Sequence, residues 1–274
     1  EHAKRYTTSG MATDQGKLGN VNAAGIIAGM RGVSPAAVGT TTFRPFYTPV
    51  SFGALAGTAR DKHAQPVRES PLHGWAKKNG ASFVEAGLWY RSSWFARPGE
   101  KGWRDSVDRE VLNVRNNVGI CDVSTLGKIE IFGKDAAEFL NRLYSNAFLK
   151  LPIGKARYGL MLREDGMVFD DGTTSRLTPD HFFMTTTTAM AGEVMTHMEF
   201  SAQTLWPHLD VRFVSSSDQW AQMAIAGPKA RLVLEQIVED DISDAFFPFL
   251  GAAEVMLKGG LRARLFRISF SGEL

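Results

Sequence analysis

The pattern of apolar and polar positions divides the chain into a small-residue N-terminal stretch and a longer part in which strands and helices mix. The densest run is Tyr158 to Thr188. Tyr158-Gly159-Leu160-Met161-Leu162 is apolar and partly aromatic, which predicts a strand. Arg163-Glu164-Asp165-Gly166 follows as a turn, since Asp-Gly tolerates the positive φ of a tight hairpin. Met167-Val168-Phe169 then runs into Asp170-Asp171-Gly172, and His181-Phe182-Phe183-Met184 with four threonines makes a third strand. Aspartate is a poor strand former, and a buried carboxylate is costly unless paired or hydrogen-bonded. Successive strand side chains point to opposite faces. One aspartate can therefore enter a pocket while the other caps a turn or meets solvent. Two solvated turn aspartates are the plainer reading of the same pattern.

On either side the elements are shorter. Val21–Met30 reads as a small-residue helix behind the polar loop Thr7–Lys17, an arrangement that can receive a phosphate, although no GxGxxG or GxxxxGK[ST] motif accompanies it. The prolines keep residues 40–50 extended, and residues 46–66 form a connector. Ser70 and Pro71 mark a helix start before Leu72–Lys78. Helical spacing recurs in Asp105–Asn117, Lys134–Tyr144, Met190–Leu205 and Ala230–Val238. Strands are expected at Phe83–Tyr90, Ile120–Ser124, Lys128–Phe132, Val211–Val214 and Trp220–Ile225. A hairpin is expected around Gly259-Gly260. Without strict βαβ alternation, residues 67–274 read as α+β. Trp89, Tyr90, Trp94 and Phe95 crowd one segment and form a candidate interface.

Composition narrows the choice of function. A net charge of +2 with no basic block disfavours nucleic acid as a partner. The single cysteine, Cys121, excludes an internal disulfide framework and fits a reducing, cytoplasmic setting. The six histidines are scattered and no CxxC or HExxH is present, so a metal site is not expected. No apolar run reaches the length of a membrane span. The chain starts without Met and stops just after an apolar strand, so a fragment of a longer product is expected.

Five segments, in order, resemble the glycine-cleavage T-protein (aminomethyltransferase) family. They are Ser70-Pro71-Leu72, Cys121-Asp122-Val123-Ser124 with Gly127-Lys128, Gly166 to Asp171, Ala226-Gly227-Pro228-Lys229-Ala230, and Phe270-Ser271-Gly272-Glu273. The match covers about 200 residues; each motif alone is weak, and the shared order carries it. Lys4–Thr8, Thr13–Gly16, Thr42–Pro45 and Tyr47–Val50 look like the junction inside the α subunits of heterotetrameric sarcosine oxidases.

The resemblance implies a T-protein-like folate-binding fold at residues 67–274, incomplete at its C-terminal side. It also implies that residues 1–45 are the tail of a dinucleotide-binding module and 46–66 a linker. The implied activity is oxidative demethylation of sarcosine, a small-molecule substrate, with the one-carbon unit captured by tetrahydrofolate or released as formaldehyde. FAD, FMN and NAD would be held mainly outside this stretch, and β, γ and δ subunits would be the partners. Asp171 falls on the family's catalytic aspartate. Tyr158, Asp171, Thr187 and Phe270 fall on folate-binding positions, with Thr187 in place of an asparagine and Phe270 in place of a tyrosine. A stand-alone aminomethyltransferase and a non-catalytic folate-binding or assembly module are the competing readings.

Overall fold

The computed structural model describes all residues except 1, 12, 40, 41, 44–47, 61, 62 and 270–274. Much of the extended stretch expected at 40–50 therefore lies outside the described residues. The chain divides into two compact units, residues 1–66 and 67–274.

The first unit is helical: α1 (His2–Thr7), α2 (Gly19–Arg31), α3 (Pro35–Val38) and α4 (Phe52–Ala56). α2 ends as glycine allows, with Gly32 left-handed at φ 64°. At its other end the Asp14 carboxylate accepts the Leu18 amide at 3.1 Å and the Gly19 amide at 2.6 Å. The bond from Gly19 holds the Asp14 carboxyl below its ordinary value. The expectation that this helix start receives a phosphate is thereby corrected, because a side-chain carboxylate already takes the free amides and repels a second anion.

The second unit begins with β1 (Arg68–Glu69), α5 (His73–Lys78), β2 (Ala81–Ala86), β3 (Trp89–Phe95) and α6 (Trp103–Asn116). β1, β3 and β2 make one small sheet. Ser70 does not cap α5. Its hydroxyl bonds the Asp122 carboxylate, and Leu72 precedes the helix instead. Trp89 is buried, with Arg68 4.0 Å from its ring centroid, and Tyr90, Trp94 and Phe95 are half-buried. The crowded aromatics thus pack within their own sheet rather than stand free.

The centre is a five-stranded sheet. After β4 (Gly119–Asp122) come β5 (Gly127–Phe132), α7 (Ala136–Leu143), β6 (Lys155–Leu162), β7 (Val168–Thr178), β8 (His181–Thr186), α8 (Ala191–Phe200) and β9 (Arg212–Ser215). The strand order is β6-β7-β8-β5-β9. The Asp165-Gly166 hairpin forms as expected, with Gly166 at φ 82°. The expected helix to Leu205 instead breaks after Phe200 into a π-helical turn over Ser201–Leu205. β10 (Met223–Ala226) pairs with β4, α9 (Ala230–Ile237) follows, and β11 (Ala252–Leu257) and β12 (Leu261–Phe266) close as a hairpin.

Alternation gives the central sheet two different faces. Ile129, Ile131, Met161, Phe182 and Met184 point to one face and form the main core with α7 and α8, including Phe139, Leu140, Val194 and Met198. The other face is covered over part of its extent by the β11–β12 hairpin. Phe266 stacks on Phe183 at 5.5 Å, and the Ala156 amide bonds the Leu250 carbonyl. Glu130 anchors this cover. Its carboxylate meets His181 at 2.7 Å and Arg264 at 3.1 Å, and accepts the Trp220 ring N–H at 3.4 Å. Burial raises the Glu130 carboxyl, but Arg264 and His181 outweigh it and leave the group below its ordinary value.

Packing and charge each make a testable demand. Gly172 has the Thr185 carbonyl oxygen 1.9 Å from where a Cβ would stand, whereas Gly192 has open space. Gly172→Ala should cost about 1–3 kcal/mol or more in a urea melt, while Gly192→Ala should lose nothing measurable. Glu100, bonded by Arg109 and Ser106, has its carboxyl held down to about 2. Its stabilisation is present at neutral pH and is lost as pH falls from the ordinary value of 4.5 toward about 2. Glu100→Gln should flatten that part of the melting temperature versus pH curve.

Candidate functional site

The uncovered part of the sheet's second face lies one row beyond the hairpin, at the Tyr158 end of that row. In the covered row, Phe183, Ser175 and Ala156 are buried at 4%, 2% and 2% exposure. The next row across the strands is Lys128 opposite Thr185, and Thr173 opposite Tyr158. Beyond it Asp171 stands opposite Leu160. Tyr158 is 51% exposed, so the face opens beside Asp171.

Tyr158 and Asp171, singled out in the sequence, come together here. The phenol donates to the Asp171 carboxylate (Oη to Oδ2) at 2.8 Å. Giving up that proton would lose the bond and place two anions side by side, so the phenol is pushed above its ordinary value. The pair presents an aromatic ring, a hydroxyl and a carboxylate side by side on an open surface. That set suits a flat heterocycle with basic nitrogen.

Asp170 points the other way. It is 4% exposed on the helix-covered face, where its register partner is Met161. Burial raises its carboxyl above the ordinary value, against the opposing bonds from Thr187. Thr187 bonds Asp170 rather than Asp171. Its hydroxyl donates to Asp170 at 2.7 Å and its amide lies 3.3 Å from the same carboxylate. Phe270 lies outside the described residues.

Sequence reasoning passed over Lys128 and the Thr173–Thr185 pair. Lys128 is 1% exposed, and its ammonium donates to the carbonyls of Ser124 at 2.8 Å and Leu126 at 2.9 Å. Burial brings it down to about 8. Thr185 Oγ1 lies 3.0 Å from Thr173 Oγ1 and accepts the Thr173 amide at 3.2 Å. A lysine inside an alternating apolar strand was the available signal for the first. The second could not be foreseen, because the β7–β8 register is not written locally. A separate cavity of about 430 Å³ opens at the tip of the β6–β7 hairpin, lined by Leu162, Phe169, Met190 and His197 among others. It does not include Asp171 or Tyr158. Among the described residues there is no cluster fit to hold a metal ion, and no helix is long and apolar enough to cross a membrane.

A five-stranded antiparallel sheet with helices packed on one face and this polar pair on the other has an aminomethyltransferase-like fold. The solved glycine cleavage system aminomethyltransferase T from Bartonella henselae matches with a TM-score of 0.61 at 23% identity, over 76% of this chain and 52% of that one. Residues 72–274 match the family model of the GCVT N-terminal domain, and the chain belongs to that family. Residues 1–59 match the model of the sarcosine oxidase A3 domain. The chain is 75% identical over 275 residues to sarcosine oxidase subunit alpha of Rhizobium meliloti (strain 1021). It is 49% identical over 276 residues to the subunit of the same name from Corynebacterium sp. (strain U-96). All of this chain is matched in both, and it spans 28% of the length of each.

Replacing the acceptor should free the phenol. In Asp171→Asn, alkaline titration of Tyr158, followed by difference absorbance against Tyr158→Phe, should move down toward the ordinary tyrosine range.

Proposed function

We propose that this chain is the folate-handling part of a sarcosine oxidase α subunit. In this reading sarcosine is oxidatively demethylated elsewhere in the complex, and the one-carbon unit is taken up by tetrahydrofolate on this domain or released as formaldehyde. The observation that carries the reading is the Tyr158–Asp171 pair at 2.8 Å, on the open part of an aminomethyltransferase-like sheet. The names of the two curated relatives support it.

Tetrahydrofolate would supply the amine nitrogens that accept the one-carbon unit. The chain's own residues do the rest. The half-exposed Tyr158 ring offers a surface for a flat ring system. Asp171 holds a carboxylate where positive charge develops on nitrogen, and it can accept a proton there. Tyr158 orients that carboxylate. Thr187 contributes through Asp170 rather than by direct contact, and the role of Phe270 rests on the family resemblance alone. FAD, FMN and NAD belong in this reading to the rest of a heterotetramer with β, γ and δ subunits in the cytoplasm. Residues 1–45 are then the tail of its dinucleotide-binding module.

Calorimetric titration of tetrahydrofolate into the full-length chain tests the assignment. Wild type should bind, and Asp171→Ala should bind at least about tenfold more weakly, the size of one charge-assisted hydrogen bond. Equal binding by both would remove Asp171 from the site. No binding by either would leave the domain a role in assembling the complex.

A further inference from the structure

The two strands that carry the site part company next to it. The β7–β8 ladder ends at the pair Thr174 and Met184, whereas β8 stays paired with β5 as far as Thr186 and Gly127. β7 meanwhile stays with β6 through the Met161–Asp170 pair to Leu162 and Val168. Beyond Thr174, β7 therefore follows β6 and β8 follows β5. The backbone groups freed between them need other partners, since an unpaired buried amide costs about as much as a lost hydrogen bond.

Two side chains supply them. Thr185 Oγ1 accepts the Thr173 amide at 3.2 Å and lies 3.3 Å from the Thr173 carbonyl. The Asp170 carboxylate accepts the Thr187 amide at 3.3 Å and the Thr187 hydroxyl at 2.7 Å. Gly172, between the two contacts, makes room for the Thr185 carbonyl. Asp170 is also the immediate neighbour of Asp171, and alternation couples them: the inward side chain fixes where the outward one emerges. The ionisable groups that interact electrostatically with Asp170 are Asp171, the buried Tyr144 and Tyr158.

The geometry points to Asp170 as the positioning residue of this site: its buried carboxylate replaces missing rungs between β7 and β8 and thereby holds Asp171 and Tyr158 in register on the open face. Asp170 touches no ligand in this scheme. It acts through Thr187 on one side and through the β7 backbone on the other. The ligand-binding half of the test rests on the folate reading above, and the exchange half does not.

The experiment compares Asp170→Ala and Asp170→Asn in the full-length chain by hydrogen–deuterium exchange of peptides covering residues 184–190 and by tetrahydrofolate calorimetry. Asn keeps one oxygen able to accept from Thr187, so it should retain protection and bind within about threefold of wild type. Ala should lose protection and bind about tenfold more weakly. Should Asp170→Ala fail to fold, Thr187→Val decides the matter: it removes the hydroxyl that donates to Asp170 and should lose protection, while Asp170→Asn keeps it. Wild-type protection in Asp170→Ala, or in Thr187→Val, would overturn the proposal. If wild type binds no tetrahydrofolate, the folate reading fails and the exchange data still decide the role of Asp170.

Discussion

Gly172 and Gly159 face each other across β7 and β6, and neither position tolerates a side chain. A Cβ at Gly172 would stand 1.9 Å from the Thr185 carbonyl oxygen, and one at Gly159 would stand 2.8 Å from the Tyr144 ring. These two absences let β8 close on β7 and the Tyr144–Phe148 aromatic pair close on β6. They also hold the strand register. A slip of one residue would turn Asp170 outward and Asp171 into the core, exchanging a hydrogen-bonded buried carboxylate for an unsatisfied one. The open face therefore depends on a backbone contact that no side chain on that face makes.

The sheet is asymmetric in what holds its two faces. The helix-covered face is an ordinary apolar core of α7, α8 and alternate strand residues. The other face is closed by a polar anchor, in which Glu130 joins His181, Arg264 and Trp220 from three separate segments. Such a cluster constrains geometry more than it adds net stability, because desolvating the charges offsets much of their attraction. Its position explains why the hairpin covers the row of Ser175 and Phe183 and leaves the Tyr158 end of the next row open.

Much of this was legible from local pattern. The Asp-Gly hairpin, the three central strands, the amphipathic α7 and the terminal hairpin all follow from period and turn chemistry, which act over a few residues. The division of consecutive aspartates between two faces was legible too, since strand alternation is a local rule. The aromatics of β3 were less legible, because exposure depends on what packs against a strand. Cap chemistry at Ser70 was overridden by a partner, Asp122, more than fifty positions away.

The sequence by itself therefore determined most of the elements of residues 67–274, the family resemblance, and Tyr158 and Asp171 as separate candidates. Each of these rests on residues near one another in the chain or on motif order. The tertiary structure alone decided that Tyr158 bonds Asp171, that Thr187 serves Asp170 instead, and that Lys128 is buried among carbonyls. Those outcomes depend on register and on where a ladder stops. Both are settled by close backbone approach between distant segments, which no local window of sequence contains.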